Sequence, residues 1–322
     1  MKKFTTLLML ILGTSAAIAA EPDYPTKPVS IIVAYAPGGQ GDVFARLVGE
    51  KLSTVYKQPV VVDNKPGVSG TVGTRLAAKA KNDGYTLLLG QTGEITVNRL
   101  LMKDLGYDPM KELVPVVLIG NAPLVMLAPA DAPYNTVNEF IQMARAKPGE
   151  FSYGTVGAGT PGHLSAVALG LGAKLNMVHV PYKGSAPAVV DVASGQVDMM
   201  FDGIPSLLPH IKSGKLRPIA AVSVKRNSQL PELPTFTELG YPSMVASVWY
   251  GLMAPAGTPQ AIIDKVNAAM NKTLAVPELQ KKLEDGGAIV MPGTPKDFET
   301  FYLKDYARWG DVIKNAGIST KQ

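Results

Sequence analysis

Apolar runs and helical stripes alternate along the first ninety residues. The run from Val29 to Tyr35 is apolar almost throughout, as in a strand that is covered on both faces of a parallel sheet. Apolar residues at helical spacing follow from Phe44 to Val55. The same succession returns with strands at 60–63 and 85–90 on either side of a helix at 71–80. This spacing predicts an α/β fold built from βαβ units, in which ligand groups collect at the carboxyl ends of the strands.

The rest of the chain keeps this alternation and contains two interruptions. Apolar runs at 114–119 and 124–128 are separated by Gly120-Asn121-Ala122-Pro123, which we interpret as a first crossing between two domains. The irregular, Pro-rich stretch 225–247 is interpreted as the return crossing, because the apolar strand 249–254 follows it. Further strands are predicted at 177–180, 197–201 and 217–223, and helices at 137–146, 187–194, after Thr258-Pro259 and after Thr294-Pro295.

A glycine-rich turn between a strand and a helix, Ser152 to His163, lies at the centre of the sequence. The residues after it have the spacing of an amphipathic helix: Leu164, Val167, Ala168 and Leu171. Thr160 is suited to the N-cap and Pro161 to the first helical position, where a missing N–H costs nothing. The amides of the first turn then lack intrahelical acceptors at the positive end of the helix dipole, which predicts a site for a carboxylate or a phosphate.

The pattern Gly157-x-Gly159-x-x-Gly162 in this turn also matches the dinucleotide-binding fingerprint. That fingerprint requires an acidic residue at the end of the next strand, but the strand 177–180 runs into Pro181-Tyr182-Lys183-Gly184 without a carboxylate. An exported NAD(P)-binding oxidoreductase is therefore the alternative function. A third interpretation is purely structural, with glycines that only let the helix and the strand pack closely.

A second glycine turn follows the first strand and repeats this plan. Residues 36–42 lead from the strand into a helix, with Gln40 as a side-chain donor. Asp42 lies near the helix start, where a carboxylate is favourable as a cap, and direct contact with a ligand is the second interpretation of this residue.

Two further polar residues lie at strand ends. Gln91 follows the third strand, so we expect it to face the same crevice as the turn after the first strand. Asp202 follows the strand 197–201 and is interpreted either as a turn residue before Gly203 or as a residue of the cleft.

Residues 1–19 have the three parts of a secretory signal. Lys2-Lys3 precede an apolar run from Leu7 to Leu12, and small residues follow as far as Ala19, near which we predict cleavage. The apolar run is too short to span a bilayer, and no other window approaches 18 uninterrupted apolar residues. The sequence therefore predicts an exported protein that is soluble once it is processed.

Composition excludes several classes of site. The 322 residues include no cysteine and only three histidines, so we expect no disulfide, no metal site and no cofactor. Without Lys2 and Lys3 the formal net charge falls from +5 to +3, and this mild excess is spread along the chain. Clustered Lys and Arg with interleaved aromatic residues are absent from the sequence, so we expect no nucleic-acid partner.

Several of these motifs, in this order, resemble the Bug family of periplasmic solute-binding proteins, the receptor components of tripartite tricarboxylate transporters. The resemblance covers nearly the whole mature chain. It rests on Pro37-Gly38-Gly39 with Asp42, Asp63-Asn64-Lys65-Pro66-Gly67, the turn Gly157 to His163, Pro181-Tyr182-Lys183-Gly184, and the run from Tyr250-Gly251-Leu252 to Pro259.

The resemblance implies a type II periplasmic-binding-protein fold, with two lobes that each hold a mostly parallel five-stranded sheet flanked by helices and are joined by two hinge crossings. Lobe 1 would comprise residues 20–122 plus 246–322, and lobe 2 residues 123–245. Strand 124–128 would then join the second lobe and strand 249–254 the first.

The resemblance also implies that two loops pinch one carboxylate of the ligand with backbone amides and bridging waters. The ligand-binding residues expected from these loops and from the strand ends are Pro37, Gly38, Gly39, Gln40, Asp42, Gln91, Thr155, Gly157, Ala158, Gly159, Thr160, Gly162, His163, Tyr182 and Asp202. The implied protein is a periplasmic monomer and not an enzyme. Its partners would be a small organic carboxylate and the membrane permease subunits of a tripartite tricarboxylate transporter.

An exported hydrolase is a further functional class, but the sequence contains no Gly-x-Ser-x-Gly elbow. The identity of the carboxylate stays open among dicarboxylates, citrate-like acids, amino acids and aromatic acids, because the side chains at the far end of the ligand decide it.

Overall fold

The structure, a computed structural model, describes residues 24–315 except 228, 243, 245 and 286; the predicted signal peptide, residues 1–19, lies outside them. The strands are β1 (Val29–Val33), β2 (Val60–Asn64), β3 (Thr86–Gln91), β4 (Leu113–Pro129), β5 (Ser152–Thr155), β6 (Val178–Pro181), β7 (Met199–Gly203), β8 (Leu216–Val222), β9 (Ser247–Pro255) and β10 (Ile289–Val290).

The helices are α1 (Gln40–Tyr56), α2 (Thr71–Ala78), α3 (Asn98–Leu101), α4 (Pro109–Glu112), α5 (Val137–Ala146), α6 (Pro161–Ala173), α7 (Ser185–Ala193), α8 (Ile204–Lys212), α9 (Gln260–Leu274), α10 (Pro277–Asp285) and α11 (Pro295–Asn315). A 3₁₀ turn covers Val68–Gly70, and a π-helical turn covers Gly93–Val97. No helix in the described part of the chain is both long and apolar enough to cross a membrane.

Two sheets divide the strands between them. The first has the order β2-β1-β3-β9-β4-β10, in which β1 pairs in parallel with β2 and β3, and β9 runs antiparallel between β3 and β4. The second has the order β6-β5-β7-β4-β8, in which β5 pairs in parallel with β6 and β7, while β4 runs antiparallel to β7 and β8. In the first sheet β2, β1, β3 and β4 share one direction and β9 opposes them. In the second sheet β6, β5, β7 and β8 share one direction and β4 opposes them.

Strand β4 belongs to both sheets. The two apolar runs at 114–119 and 124–128 lie in one continuous strand, and residues 120–123, which we interpreted as a crossing, are part of that strand. Residues 113–123 pair with β9, and from Leu124 onward the partners are β7 and β8. The intervening residues stay extended because they keep β-pairing partners, with Asn121 opposite Trp249 and Pro123 opposite Ser247. The returning chain lies directly beside this point, since the Leu124 N–H donates to the Ala246 carbonyl at 3.2 Å.

The tail of the chain closes the first sheet with aromatic side chains. Trp249 on β9 packs edge-to-face on Phe298 of α11, with ring centroids 5.3 Å apart. Trp309, which lies further along α11 than Phe298, is also buried, as the helical spacing of the aromatic residues in this helix predicts. The indole N–H of Trp249 donates to Asp305 Oδ2 at 3.0 Å, which satisfies a polar group that the packing removes from water.

We expect Asp305→Ala to lower the free energy of unfolding by about 1–3 kcal/mol, because the buried Trp249 N–H loses its acceptor. Urea unfolding followed by tryptophan fluorescence measures the change. Asp305→Asn, which keeps an acceptor oxygen, should cost less. Asp311→Ala, an exposed aspartate on the same helix, is the control. Equal stabilities for Asp305→Ala and Asp311→Ala would contradict this role for the indole hydrogen bond.

Candidate functional site

A cavity of about 40 Å³ lies where the two sheets face each other. Elements of the first sheet supply most of its lining: Tyr35, Ala36, Gly39, Gln40, Gly41, Asp42, Gln91, Gly93, Val248 and Tyr250. The second sheet and its helices supply the rest: Val156, Thr160, Pro161, Ser185 and Asp202. Both glycine turns therefore reach the cavity.

Four helices begin at this cavity. Their N-cap residues are Gly39 for α1, Thr160 for α6, Gly184 for α7 and Gly203 for α8, and none provides a side-chain cap. Helix α5, by contrast, is capped by the Thr136 hydroxyl. The first N–H groups of a helix have no intrahelical acceptor and carry the positive end of the helix dipole. The four helix starts thus place positive dipole ends around the cavity, and no basic side chain of the described residues lines it.

The turn before α1 is held by Asp42. Its Oδ2 accepts the Gly38 N–H at 2.9 Å, where Gly38 has a left-handed φ of +81°. Arg46 donates Nε to Oδ2 at 3.0 Å and places Nη2 2.9 Å from Oδ1. Burial alone would raise the pKa of Asp42, but these hydrogen bonds outweigh burial and lower it. Asp42 is therefore a paired carboxylate that shapes the turn.

The turn before α6 is held by His163. Gly159, with a φ of +77°, donates its N–H to His163 Nδ1 at 3.1 Å. The Thr160 hydroxyl donates to the Gly157 carbonyl at 2.8 Å and so closes the same turn. Burial, with the nearby ring of His179, lowers the pKa of His163 to about 4. At neutral pH His163 is therefore uncharged and accepts the Gly159 N–H. This amide is one of those that the sequence analysis predicted to bind an anion.

Behind this turn lies a stack of rings. His163 and His179 have centroids 4.4 Å apart, and Tyr153 stacks on His179 at 5.0 Å. His179 Nε2 lies 2.7 Å from the Thr155 hydroxyl, so the stack is tied to the end of β5. These contacts fix the position of the turn from the side away from the cavity.

Two glutamine amides face the cavity from the first lobe. Gln40 Oε1 accepts the buried Tyr250 hydroxyl at 2.5 Å, which leaves Gln40 Nε2 without a hydrogen-bond partner among the described residues. Gln91 Nε2 likewise has no partner in that part of the chain. A β-carbon at Gly41 would lie 2.7 Å from Gln91 Nε2, so the glycine is what makes room for this amide.

Asp202 faces the cavity from the second lobe and is 7% exposed. Its Oδ1 accepts the N–H of Gly203 at 2.8 Å, whereas Oδ2 has no partner among the described residues. Burial raises the pKa of the Asp202 carboxyl to about 6. The Ser185 hydroxyl and the Gly203 N–H act in the opposite direction, although Ser185 does not reach Oδ2 with hydrogen-bonding geometry.

A second buried carboxyl, Glu94, lies behind the wall of the cavity in the π-helical turn. Its Oε2 accepts the Tyr35 hydroxyl at 2.9 Å and its Oε1 accepts the Gln91 N–H at 2.8 Å. Burial raises the pKa of Glu94 to about 8, although these hydrogen bonds lower it. Glu94 thereby connects two residues of the lining, Tyr35 and Gln91.

The structure divides the predicted ligand-binding residues into two groups. Those that line the cavity are Gly39, Gln40, Asp42, Gln91, Thr160 and Asp202. Those outside its lining are Pro37, Gly38, Thr155, Gly157, Ala158, Gly159, Gly162, His163 and Tyr182. The direct contact of any of them with a ligand stays a prediction.

Besides the residues that shape the two turns, Tyr182 and Gly162 of the second group also have structural roles. The Tyr182 hydroxyl donates to Asp191 Oδ2 at 2.5 Å, away from the cavity. A β-carbon at Gly162 would overlap the Phe201 carbonyl, so this glycine serves the close packing of α6 on β7. The structural interpretation of the glycine pattern therefore holds at this position.

Three polar lining residues were missed by the sequence analysis. Tyr35 ends the first predicted strand, and the strand-end rule that selected Gln91 would also have selected it. Ser185 follows the Pro181–Gly184 motif at the start of α7. Tyr250 comes from β9, which runs antiparallel to its neighbours, so the carboxyl-end rule does not apply to it.

The two lobes touch at the rim of the cavity. The N–H of Ala36 donates to the Lys183 carbonyl at 3.1 Å across the cleft. A β-carbon at Gly184 would lie 2.9 Å from the Ala36 nitrogen, and one at Gly157 would lie 2.6 Å from the Ser69 hydroxyl. Backbone thus meets backbone across the cleft, and glycine permits this approach.

A sequence comparison with known families matches residues 44–318 to the tripartite tricarboxylate transporter family receptor. BugT of Bordetella pertussis is 37% identical over 312 residues, which cover 96% of this chain and 95% of BugT. Neither finding supports the oxidoreductase alternative.

Solved structures of the same kind superpose closely. The periplasmic binding protein BugD has a TM-score of 0.89 and 34% identity, covering 93% of this chain and 100% of BugD. A Rhodopseudomonas palustris protein with adipate, Rpa4515, has a TM-score of 0.90 and 35% identity, over 93% and 100% of the two chains. MatC of the same organism, with bound malate, has a TM-score of 0.86 and 30% identity, over 90% and 100%. These neighbours show that the fold is that of the two-lobed periplasmic binding proteins.

We expect Glu94→Gln to make the protein more stable than wild type at pH 8 by on the order of a few kcal/mol. The folded protein holds this carboxyl at a pKa raised to about 8, so its stabilising contribution is complete below the ordinary pKa and is lost as pH rises toward 8. The advantage of Gln should therefore shrink toward pH 4.5. Thermal unfolding across this range measures it, with the exposed Glu284→Gln as control. A difference that does not change with pH would contradict the buried, neutral state of Glu94.

Proposed function

The chain belongs to the tripartite tricarboxylate transporter receptor family, and from this premise we propose that it is a periplasmic solute-binding protein. It captures a small organic carboxylate between its two lobes and delivers it to the membrane permease subunits of a tripartite transporter. The two neighbours whose structures hold adipate and malate bind carboxylates, which supports this class of ligand.

The observation that carries the proposal is the meeting of four helix starts without side-chain caps at one cavity between the lobes. Backbone N–H groups at a helix start bind an anion without any basic side chain. No Arg, Lys or His of the described residues lines the cavity, so the ligand carboxylate is held by backbone and amide donors rather than by an arginine clamp.

We propose binding without chemical change. Ser185 and Asp202 are neighbours in the lining, but no histidine of the described chain lines the cavity to act as a base between a serine and a carboxylate. The family and its neighbours BugD and Rpa4515 support a binding role. We also propose that the processed protein is exported to the periplasm and acts as a monomer.

The proposed lobes are residues 20–122 plus 246–322 and residues 123–245, with the hinge where β4 changes partners. Leu124 and Ala246 lie side by side at that point, so both crossings can bend together. A cavity of about 40 Å³ has room for a few water molecules and not for an organic diacid. We infer that the lobes open to admit the ligand and close on it.

A thermal-shift screen of carboxylic acids tests the proposed function. An acid present at 100 times its Kd should stabilise the protein by about 2.7 kcal/mol. The panel contains dicarboxylates, citrate-like acids, amino acids and aromatic acids, each beside its uncharged amide. NADP⁺ and a simple ester test the oxidoreductase and hydrolase alternatives. The proposal fails when no acid raises the melting temperature, or when the amides raise it equally.

We expect Gly184→Ala to weaken binding of an acid found in that screen at least tenfold without unfolding the protein. Gly184 has an extended φ of 162°, so alanine adds no backbone strain, but its β-carbon would collide with the Ala36 backbone across the cleft. Calorimetric titration measures the affinity, and small-angle scattering measures closure. The control is Gly172→Ala, because a β-carbon there has no neighbour within 4 Å. Unchanged affinity in Gly184→Ala would count against closure at this contact.

A further inference from the structure

Besides Asp42 Oδ1, which is ion-paired with Arg46 Nη2 at 2.9 Å, three buried polar atoms around the cavity have no hydrogen-bond partner among the described residues: Gln40 Nε2, Gln91 Nε2 and Asp202 Oδ2. All three side chains are more than nine-tenths buried. A buried polar group that stays unpaired is destabilising, so a site that keeps three of them is suited to a ligand that pairs them. Two are donors and one is an acceptor.

The donors lie on the first lobe. Tyr250 holds Gln40 by its Oε1, which turns Nε2 away from that bond, and Gln91 lies against Gly41 at the start of the same helix. Two amide N–H groups from neighbouring positions are suited to the oxygens of one carboxylate. This pair acts beside the backbone N–H groups of the helix starts.

The acceptor lies on the opposite lobe and close to the donors. Asp202 Oδ1 is fixed by the Gly203 N–H, whereas Oδ2 has no hydrogen-bond partner within the described chain. A β-carbon at Gly203 would overlap the amide of Gln40. The ligand group that meets Asp202 is therefore near the ligand carboxylate. An ionised carboxylate only accepts hydrogen bonds, so that ligand group must be a donor.

The surrounding charges favour the same conclusion. Asp42 is already paired with Arg46, Glu94 lies behind Tyr35, and the Tyr250 hydroxyl is committed to Gln40. In the part of the chain that the structure describes, no lysine, arginine or histidine lines the cavity to neutralise Asp202. A second ligand carboxylate beside Asp202 would place two like charges in a buried space, which is unfavourable.

We propose that Asp202 is the specificity-determining residue of the cavity and accepts a hydrogen bond from a hydroxyl or ammonium group next to the ligand carboxylate. The amides of Gln40 and Gln91 hold the carboxylate itself. The inference rests on the proposed function and narrows its ligand class to small hydroxy acids and amino acids. Acids with the same skeleton but no such donor leave Asp202 unpaired and bind more weakly.

Calorimetric titration with two matched sets tests this selection. The first set is succinate, malate and aspartate, and the second is propionate, lactate and alanine. In each set the first acid has no donor next to the carboxylate, the second has a hydroxyl and the third has an ammonium group. The hydroxy or amino acid should bind at least tenfold more tightly than its parent. Any other acid found in the thermal screen is compared with its own parent that lacks the donor.

Two variants at Asp202 separate the two kinds of donor. Asp202→Ala should abolish the preference over the parent acid. Asp202→Asn keeps a neutral acceptor, so it should largely preserve the preference for a hydroxyl and strongly reduce that for an ammonium. Both variants are first checked for cooperative thermal unfolding. A preference that survives unchanged in both variants overturns the proposal.

The change of ligand affinity with pH provides an independent test. Burial holds the pKa of the Asp202 carboxyl near 6 without ligand, so lowering the pH from 7 to 5 protonates the acceptor and should weaken binding of the preferred acid. Glu94→Gln should keep this dependence, because Glu94 does not line the cavity. Tighter binding at pH 5 would mean that a protonated Asp202 donates to a ligand carboxylate, which overturns the proposal.

Failure of the inference is distinguishable from failure of the function. When parent acids without a donor bind as tightly as the hydroxy and amino acids, the inference is wrong and the carboxylate-binding function stands. When no carboxylic acid binds in either experiment, the proposed function fails and the inference fails with it.

Discussion

One strand that belongs to two sheets sets the geometry of this protein. Because β4 pairs with β9 before Leu124 and with β7 and β8 from Leu124 onward, the two sheets are joined through this one strand. The return of the chain beside it at Ala246 keeps the second crossing at the same point. The glycine turns of both lobes are consequently brought to the same cleft.

The cleft combines positive helix ends with buried carboxyl groups. It collects positive helix ends from four helices, yet its side chains include Asp202 and Asp42, and Glu94 lies just behind. The three carboxyls differ in state: Asp42 is paired with Arg46, Glu94 is kept neutral by burial, and one oxygen of Asp202 has no hydrogen-bond partner among the residues that the structure describes. In the proposed function, backbone dipoles favour an anion there, and the carboxyls restrict which other groups that anion can carry.

Glycine has two separate tasks around the site. At Gly38 and Gly159 a left-handed φ shapes the turns, and a side chain there would be strained. At Gly184 the backbone is extended, and the absence of a β-carbon matters only because another lobe lies against it. His163 belongs to the turn-shaping group, since its neutral ring accepts the Gly159 N–H.

The sequence by itself determined the α/β class, most elements to within two residues, and the strand-end positions of Gln91 and Asp202, because periodicity and turn chemistry are local properties. Helices α3, α4, α8 and α10, the π-helical turn and the continuity of β4 were not predicted. Pro209 lies inside α8 and argues against a helix there, and the continuity of β4 depends on pairing partners distant in the chain. Only the tertiary structure separated the residues that line the cavity from those that shape its turns. Gly38, whose N–H bonds to Asp42, and His163, whose ring accepts the Gly159 N–H, belong to the second kind. Tyr250 joined the site for the same reason: a strand from the far end of the chain enters the first sheet, and no local pattern records which neighbours it meets there.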